Sequence, residues 1–476
     1  MRLVFDVEDK PQLKQLIVFA FQQVLAIMAA TIAVPMIIGN GMSTAAALFG
    51  AGVGTLVYTA FTRRKSPVFL GSSFAFIGSM SAAFAGAVSA NAGFAGLIIG
   101  AAFAGLVYVV FALVINKVGV EWVNRLMPPV VIGPTVAIIG LSLAGNAVGD
   151  LQRSSATGEA TQWAVLCGLV ALFTTMLVST YGKKTFKLIP FIIGILAGYC
   201  VALVLTLIGN ATGNAAMQIV SFASFAALTE GGVSLKTFFA LPDFTFVKGI
   251  AGFSEIDGGY IATIAAAYIP VALVVFAEHI ADHKNISSII EKDLLKDPGL
   301  HRTLLGDGIG SMAGAFFGGC PNTTYGESIG CVAISGNASV VTILATSILA
   351  IVAAFIAPFT TFLSTIPVCV MGGVCISLYG FIAVSGLKMV QKVDLGDNRN
   401  LFVVSIILIA GVGGMVIHFS RFQIELTNIA CALILGIIAN LILSGKKKAE
   451  AEEAIEEKAE ETAEEAVEEI TEEKKD

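Results

Sequence analysis

The stretch Pro321–Gly330 reads PNTTYGESIG, and Pro67–Phe76 reads PVFLGSSFAF. Each proline is followed by two hydroxyl residues, an aromatic, a small residue and a variable one. In the first copy these are Ser72, Ser73, Phe74, Ala75 and Phe76; in the second, Thr323, Thr324, Tyr325, Gly326 and Glu327. A second pair repeats in the same way, MPPVVIG at Met127–Gly133 and IPVCVMG at Ile366–Gly372. Proline, glycine and adjacent hydroxyl residues make poor helix. Each copy therefore predicts a short extended entry followed by a half-helix whose first amides are unpaired. In a membrane such backbone is tolerated only where it lines a protein-enclosed cavity.

The surroundings of both copies are membrane-spanning. The 476-residue chain is 56% apolar and only 13% charged, with a mean hydropathy of +0.86, which excludes a soluble globular domain. Apolar runs of about 20 residues, enough to cross about 30 Å of hydrocarbon, can be placed at 14 positions. They include 127–147, 258–281, 338–364 and 400–418, with two short ones at 303–318 and 319–335. If the amino terminus is cytoplasmic, only Arg153, Lys236, Lys248 and Arg421 of the 28 Lys and Arg fall outside, the asymmetry that the positive-inside rule demands. The matched stretches lie seven spans apart, and an odd offset turns equivalent segments upside down. The expected fold class is an all-α polytopic membrane protein with 14 transmembrane spans in a 7+7 inverted repeat, spans three and ten being broken by short extended strands.

The domain boundaries follow. Residues 1–15 form a cytoplasmic amino terminus, too polar for a cleavable signal; 16–208 form the first repeat, 209–257 an extracytoplasmic connection and 258–445 the second repeat. Residues 446–476, with 14 acidic and 6 basic side chains, form an acidic cytoplasmic tail that is solvated and partly helical.

Glu278, Asp282, Asp307 and Glu327 lie within the apolar runs, and no Lys or Arg does. A carboxylate at the bilayer centre costs roughly 2.5 to 3.5 kcal/mol, so these groups mark an internal polar site. Glu278 and Asp282 are four residues apart in FAEHIADH and share a helix face near the end of span eight. Carboxyls without a buried cation beside them can take up and release protons, which supplies a relay. His279 and His283 have the helical spacing of a zinc pair but lie off the acid face, and hydrogen-bonded, non-ligating histidines fit better. The seven cysteines all lie within spans and show no CxxC spacing. No metal is implied.

An intramembrane aspartyl protease would need two aspartates converging on water. A channel would not require an inverted repeat with two broken spans. No GxxxxGK[ST] motif is present for ATP-driven pumping. Transport by a non-enzymatic carrier is favoured, with the proton as coupling ion, no other cofactor and no nucleic-acid partner.

PNTTYGESIG, AEHIADH (Ala277–His283), KDLLKDPGLHR (Lys292–Arg302) and GSSFAF (Gly71–Phe76) together resemble the nucleobase–ascorbate transporter family of nucleobase:cation symporters, closest within it to the bacterial uracil permeases. The resemblance implies a core domain of spans one to four and eight to eleven, and a gate domain of spans five to seven and twelve to fourteen. It also implies a multi-pass protein of the cell inner membrane with both termini cytoplasmic, and a homodimer in the bilayer. The implied activity is proton-coupled uptake of uracil by alternating access. By the same resemblance, Glu278 hydrogen-bonds the pyrimidine and Glu327 supports it. Backbone amides at Phe74 and Gly326 meet its carbonyls, while Ala30, Tyr325 and Tyr379 pack around the base. Glu278, Asp282 and Asp307 handle the proton, Asp307 in a supporting role. There are two departures. Asp282 stands where uracil carriers have histidine, as in many purine-carrying relatives, and Gln22-Gln23 replaces a usual Gln-His pair. The alternative is a xanthine or other purine nucleobase:proton symporter.

Overall fold

Ser43, Ser89 and Asp257 each precede an apolar run and cap the helix that follows. Their side-chain oxygens accept from the amides of Ala46, Ala92 and Tyr260 at 3.1, 3.1 and 2.7 Å. The computed structural model describes residues 3–444 apart from 120–121, 123–125, 184–185, 188, 231 and 420–423, so the predicted acidic tail lies outside the described residues. The first half runs α1 (Leu13–Ile38), α2 (Thr44–Phe61), strand β1 (Leu70–Ser72), α3 (Ile77–Ala85), α4 (Ala90–Val118), α5 (Pro129–Ser142), α6 (Ala144–Gln152), α7 (Gln162–Tyr181) and α8 (Pro190–Thr212). The connection folds into three short helices, α9 (Ala223–Thr229), α10 (Leu235–Phe238) and α11 (Thr245–Gly252). The second half continues with α12 (Gly258–Ile290), α13 (Leu300–Gly318), strand β2 (Asn322–Thr324), α14 (Gly326–Ser335), α15 (Val340–Ala354), α16 (Ala357–Ser364), α17 (Val368–Val390) and α18 (Asn398–Val412). Strands β3 (Ile417–Phe419) and β4 (Ile424–Leu426) follow, then helix α19 (Asn428–Ser444).

Among the described residues, eight segments are long and apolar enough to cross a membrane, α5 with α6 counting as one. The chain is a mostly helical polytopic membrane protein. Several predicted boundaries move. Helix α12 does not stop at 281: Ile286 and Ile290 are buried against Tyr58 and Leu294, so Glu278 and Asp282 sit in the body of a 33-residue helix rather than near its end. The run 338–364 divides into α15 and α16, with Pro358 in the first turn of the second. The run 127–147 divides at Leu143 into α5 and α6. The run 400–418 leaves helix after Val412 at Gly413-Gly414, and β3 pairs antiparallel with β4, a hairpin that the all-α expectation lacked.

Two groups of helices pack closely within themselves. In the first, α2, α4, α12, α13 and α15 lie together with α1, α3 and α14. A Cβ at Gly50 of α2 would stand 2.4 Å from the Gly314 carbonyl oxygen of α13, and one at Gly54 would stand 2.8 Å from the Gly310 oxygen. Small residues bring these two backbones into contact, which is how helices associate where lipid removes the hydrophobic drive. In the second group, α17 packs on α5, α6, α7 and α8. A Cβ at Gly386 would meet the Gly133 oxygen at 2.5 Å, and one at Gly373 the Gly168 oxygen at 2.0 Å.

The two halves join at a short ladder. β1 and β2 pair antiparallel with Leu70 opposite Thr324, Gly71 opposite Thr323 and Ser72 opposite Asn322. Tyr325 donates its amide to Phe69 at 3.2 Å, and Ser73 donates to Pro321 at 2.9 Å, which lengthens the pairing. Thr55 Oγ1 accepts the Leu70 amide at 2.9 Å, and Asn322 Nδ2 donates to the Gly50 carbonyl at 2.9 Å. The residues before α1 also pair. Val4 donates to Gly336, Ala338 to Phe5 and Val340 to Val7, strapping the amino terminus to the end of α14.

Candidate functional site

Helix α14 starts directly from β2. Tyr325 is still extended (φ −105°, ψ 122°), and Gly326 and Glu327 open the first turn. The amides of that turn have no acceptor within the helix and point back toward the strand. Ser328 holds the turn in place: its Oγ accepts from Gln23 Nε2 at 2.6 Å and from the Phe69 amide at 3.0 Å, which ties α14 to α1 and to the chain entering β1.

A cavity of about 330 Å³ lies against this turn, between the two helix groups. From the first group, Ala26, Glu278, Ala281, Asp282, Gly326, Glu327 and Gly330 face it. From the second come Val136, Phe191, Leu378, Phe381 and Ile382, with Ser179, Lys187, Ser385 and Met389 also on its wall. Three carboxyls from two helices thus meet a wall that is otherwise largely apolar. Asp282 Oδ2 accepts from Thr324 Oγ1 at 2.7 Å, which locks α12 to β2.

Of the predicted site residues, Glu278, Glu327, Gly326 and Asp282 line this one cavity. Ala30, Phe74, Tyr325 and Tyr379 are buried but are not among its lining residues. The Phe74 and Tyr379 rings meet edge to face, with centroids 5.7 Å apart, a contact between the first helix group and the second. Tyr325 is committed to the ladder. Its hydroxyl donates to the Ser72 carbonyl at 2.6 Å, and its ring fills the space a Cβ on Gly71 would need. Asp307 stands off the cavity, fully buried, with Oδ2 2.6 Å from His279 Nδ1. Both α12 histidines are buried and hydrogen-bonded, His283 Nε2 lying 2.7 Å from the Tyr58 hydroxyl. Sequence reasoning missed Ser328, Thr55 and Lys187. Ser328 directly follows Glu327 in the repeated motif, but nothing in the spacing of Thr55 or Lys187 marks them.

A sequence model described as a permease family matches residues 14–419. The chain is 38% identical over 448 residues to the uracil permease of Bacillus caldolyticus, covering 94% of this chain and 96% of that protein. It is 33% identical over 457 residues to the uracil permease of Escherichia coli (strain K12), covering 95% and 97%. Its fold is similar to that of the transmembrane domain of the cyanobacterial bicarbonate transporter BicA, with a TM-score of 0.58 and 16% identity over 92% of this chain and 100% of that one.

Proposed function

This chain belongs to the permease family, and from that premise we propose that it takes up uracil across the cell inner membrane in symport with a proton, by alternating access. It is a transporter and not an enzyme. One observation carries the site: Glu278, Asp282, Glu327 and the first turn at Gly326 converge on a single cavity between two separately packed helix groups. Uracil presents two N–H donors and two carbonyl acceptors, and each must be satisfied when water is stripped away. Glu278 and Glu327 take the N–H groups. Amides opening the two half-helices, at Gly326 and Phe74, meet the carbonyls, and Ala30, Tyr325 and Tyr379 shape the surrounding packing.

The antiparallel pairing of β1 with β2, each followed by a half-helix, supports a 14-span, 7+7 inverted repeat. The first helix group corresponds to the core and the second to the gate. The cavity reaches Lys187, beside the loops rich in Lys and Arg, which supports the reading of an inward-facing state with both termini in the cytoplasm. Glu278 and Asp282 load the proton, uracil joins, and movement of the gate group against the core releases both inside; Asp307 supports them from behind. The protein works as a homodimer in the lipid bilayer. One proton moving down 100 mV contributes about 2.3 kcal/mol, enough for roughly 50-fold accumulation.

In proteoliposomes, an acid-outside gradient is expected to drive uptake of labelled uracil, and a protonophore to abolish it. Accumulation of uracil above the external concentration that the protonophore leaves intact would sink proton coupling. Asp282 favours a second reading, a xanthine or other purine carrier. Competition by excess xanthine for uracil uptake decides it.

A further inference from the structure

Asp307 of α13 and His279 of α12 share a 2.6 Å hydrogen bond with no exposure to solvent. The other ring nitrogen, Nε2, lies 3.0 Å from Thr303 Oγ1, and the Thr303 hydroxyl has the Leu300 carbonyl at 3.0 Å. A hydroxyl carries one proton. With that proton on the Leu300 carbonyl, Thr303 Oγ1 accepts from Nε2–H. Nδ1 of a neutral ring is then an acceptor, and the proton between it and Oδ2 belongs to the Asp307 carboxyl. The other carboxyl oxygen, Oδ1, is buried without a hydrogen-bond partner. An Asp307 carboxylate beside a His279 imidazolium would satisfy the same hydrogen bonds, but it would bury two charges and leave the charged Oδ1 without a donor, whereas the neutral acid beside a neutral ring leaves only a weak acceptor there.

The remaining groups around the pair supply no fixed cation. Tyr108 of α4 stands edge-on to the His279 ring at 6.3 Å, and Glu278, Asp282 and His283 are its neighbours on α12. His283 Nδ1 lies 2.8 Å from the His279 carbonyl and so donates to it. Its Nε2 therefore accepts from Tyr58, whose hydroxyl is also bonded to Ser66 at 2.6 Å. The hydrogen bond that links His283 to His279 ends on a carbonyl oxygen, which passes no proton.

We infer that Asp307 keeps its proton throughout the transport cycle and is a positioning residue: through His279 it fixes α12 against α13, while His283 and Tyr58 fix it against α2, so that Glu278 and Asp282 stay aimed into the cavity. This rests on the uracil:proton reading but removes Asp307 from the groups that exchange the coupling proton.

Unaltered protein, D307N and D307L are compared in proteoliposomes for uracil exchange, gradient-driven accumulation and uracil affinity, with folding checked by size exclusion. Asparagine keeps an N–H for Nδ1 but has nothing to titrate. D307N is expected to exchange and accumulate uracil with unchanged pH dependence. D307L is expected to bind uracil about tenfold more weakly, the loss of one buried hydrogen bond. Should D307L not fold, Thr303→Val removes the Nε2 acceptor, and the same weakening is expected. Three outcomes overturn the inference: D307N that exchanges uracil but cannot accumulate it, D307N that does neither, or D307L or Thr303→Val with normal affinity. If the unaltered protein itself fails to accumulate uracil against a pH gradient, it is the symport reading that fails, and the affinities still test the positioning pair.

Discussion

Glu278 and Glu327 reach one cavity from separate helices, and each can be altered without changing shape. Glu278→Gln keeps a hydrogen-bonding amide but loses the titratable proton. Uracil exchange is expected to survive in this variant while gradient-driven accumulation is lost; accumulation with an unaltered pH profile would remove Glu278 from the relay. Outside the membrane, the Lys292 ammonium at 2.8 Å, helped by the Val7 amide, holds the Asp6 carboxyl below its usual range. A depressed carboxyl stabilises the fold above its unfolded pKa and loses that effect as pH falls through the folded value. The pair is half-exposed, so it contributes only about 0.2–1 kcal/mol. Asp6→Asn should melt slightly earlier at pH 7, with the difference vanishing as the pH falls through the depressed pKa of folded Asp6. The carboxyls were legible because acids in apolar runs are costly. The partner of Asp307 was not: FAEHIADH shows that His279 leaves the acid face, but not which helix it then meets.

At the scale of elements, close backbone contact decides stability. Gly50→Leu would drive a side chain into the Gly314 carbonyl, and overpacking of this kind costs about 1–3 kcal/mol. Loss of folded protein in detergent is expected, whereas Gly145→Ala, with open space at its Cβ, should be neutral. Thr55→Val removes the oxygen that accepts the Leu70 amide; leaving that donor unsatisfied costs about 1–3 kcal/mol. Thr55→Ser should restore thermal stability. The extended entries were readable from their proline and hydroxyl patterns, since those residues oppose helix locally. The length of α12 was not, because Ile286 and Ile290 continue the helix into a buried apolar cluster that also holds Tyr58, 228 residues before Ile286 in sequence. The β3–β4 hairpin was likewise hidden, its strands being short and flanking a predicted loop.

For the whole molecule, the proposed alternating access gives the cavity one accessible side at a time. Ile334 lines it and is 49% exposed. In a Cys200→Ser, Cys331→Ser background, Ile334→Cys should react with an impermeant maleimide from the Lys/Arg-rich face, and uracil should slow the reaction. Faster labelling from the opposite face would contradict an inward-facing cavity. The distribution of basic residues gives an expected orientation that this labelling tests, but sequence did not disclose how the 209–257 segment bridges both groups. Thr206 of α8 accepts the amides of Ile219 and Val220, and Ala240 donates to Phe355 at the end of α15.

The β1–β2 ladder also bears on how the protein is made. During synthesis, residues 70–72 leave the ribosome about 250 residues before their partners at 322–324. Until then Thr55 covers one Leu70 amide while the facing edge is bare, a state that hydrocarbon does not tolerate. The nascent first half must therefore wait in the insertion machinery or beside water, and the cavity can form only after α17, which supplies Leu378 and Met389 to its wall, has been made.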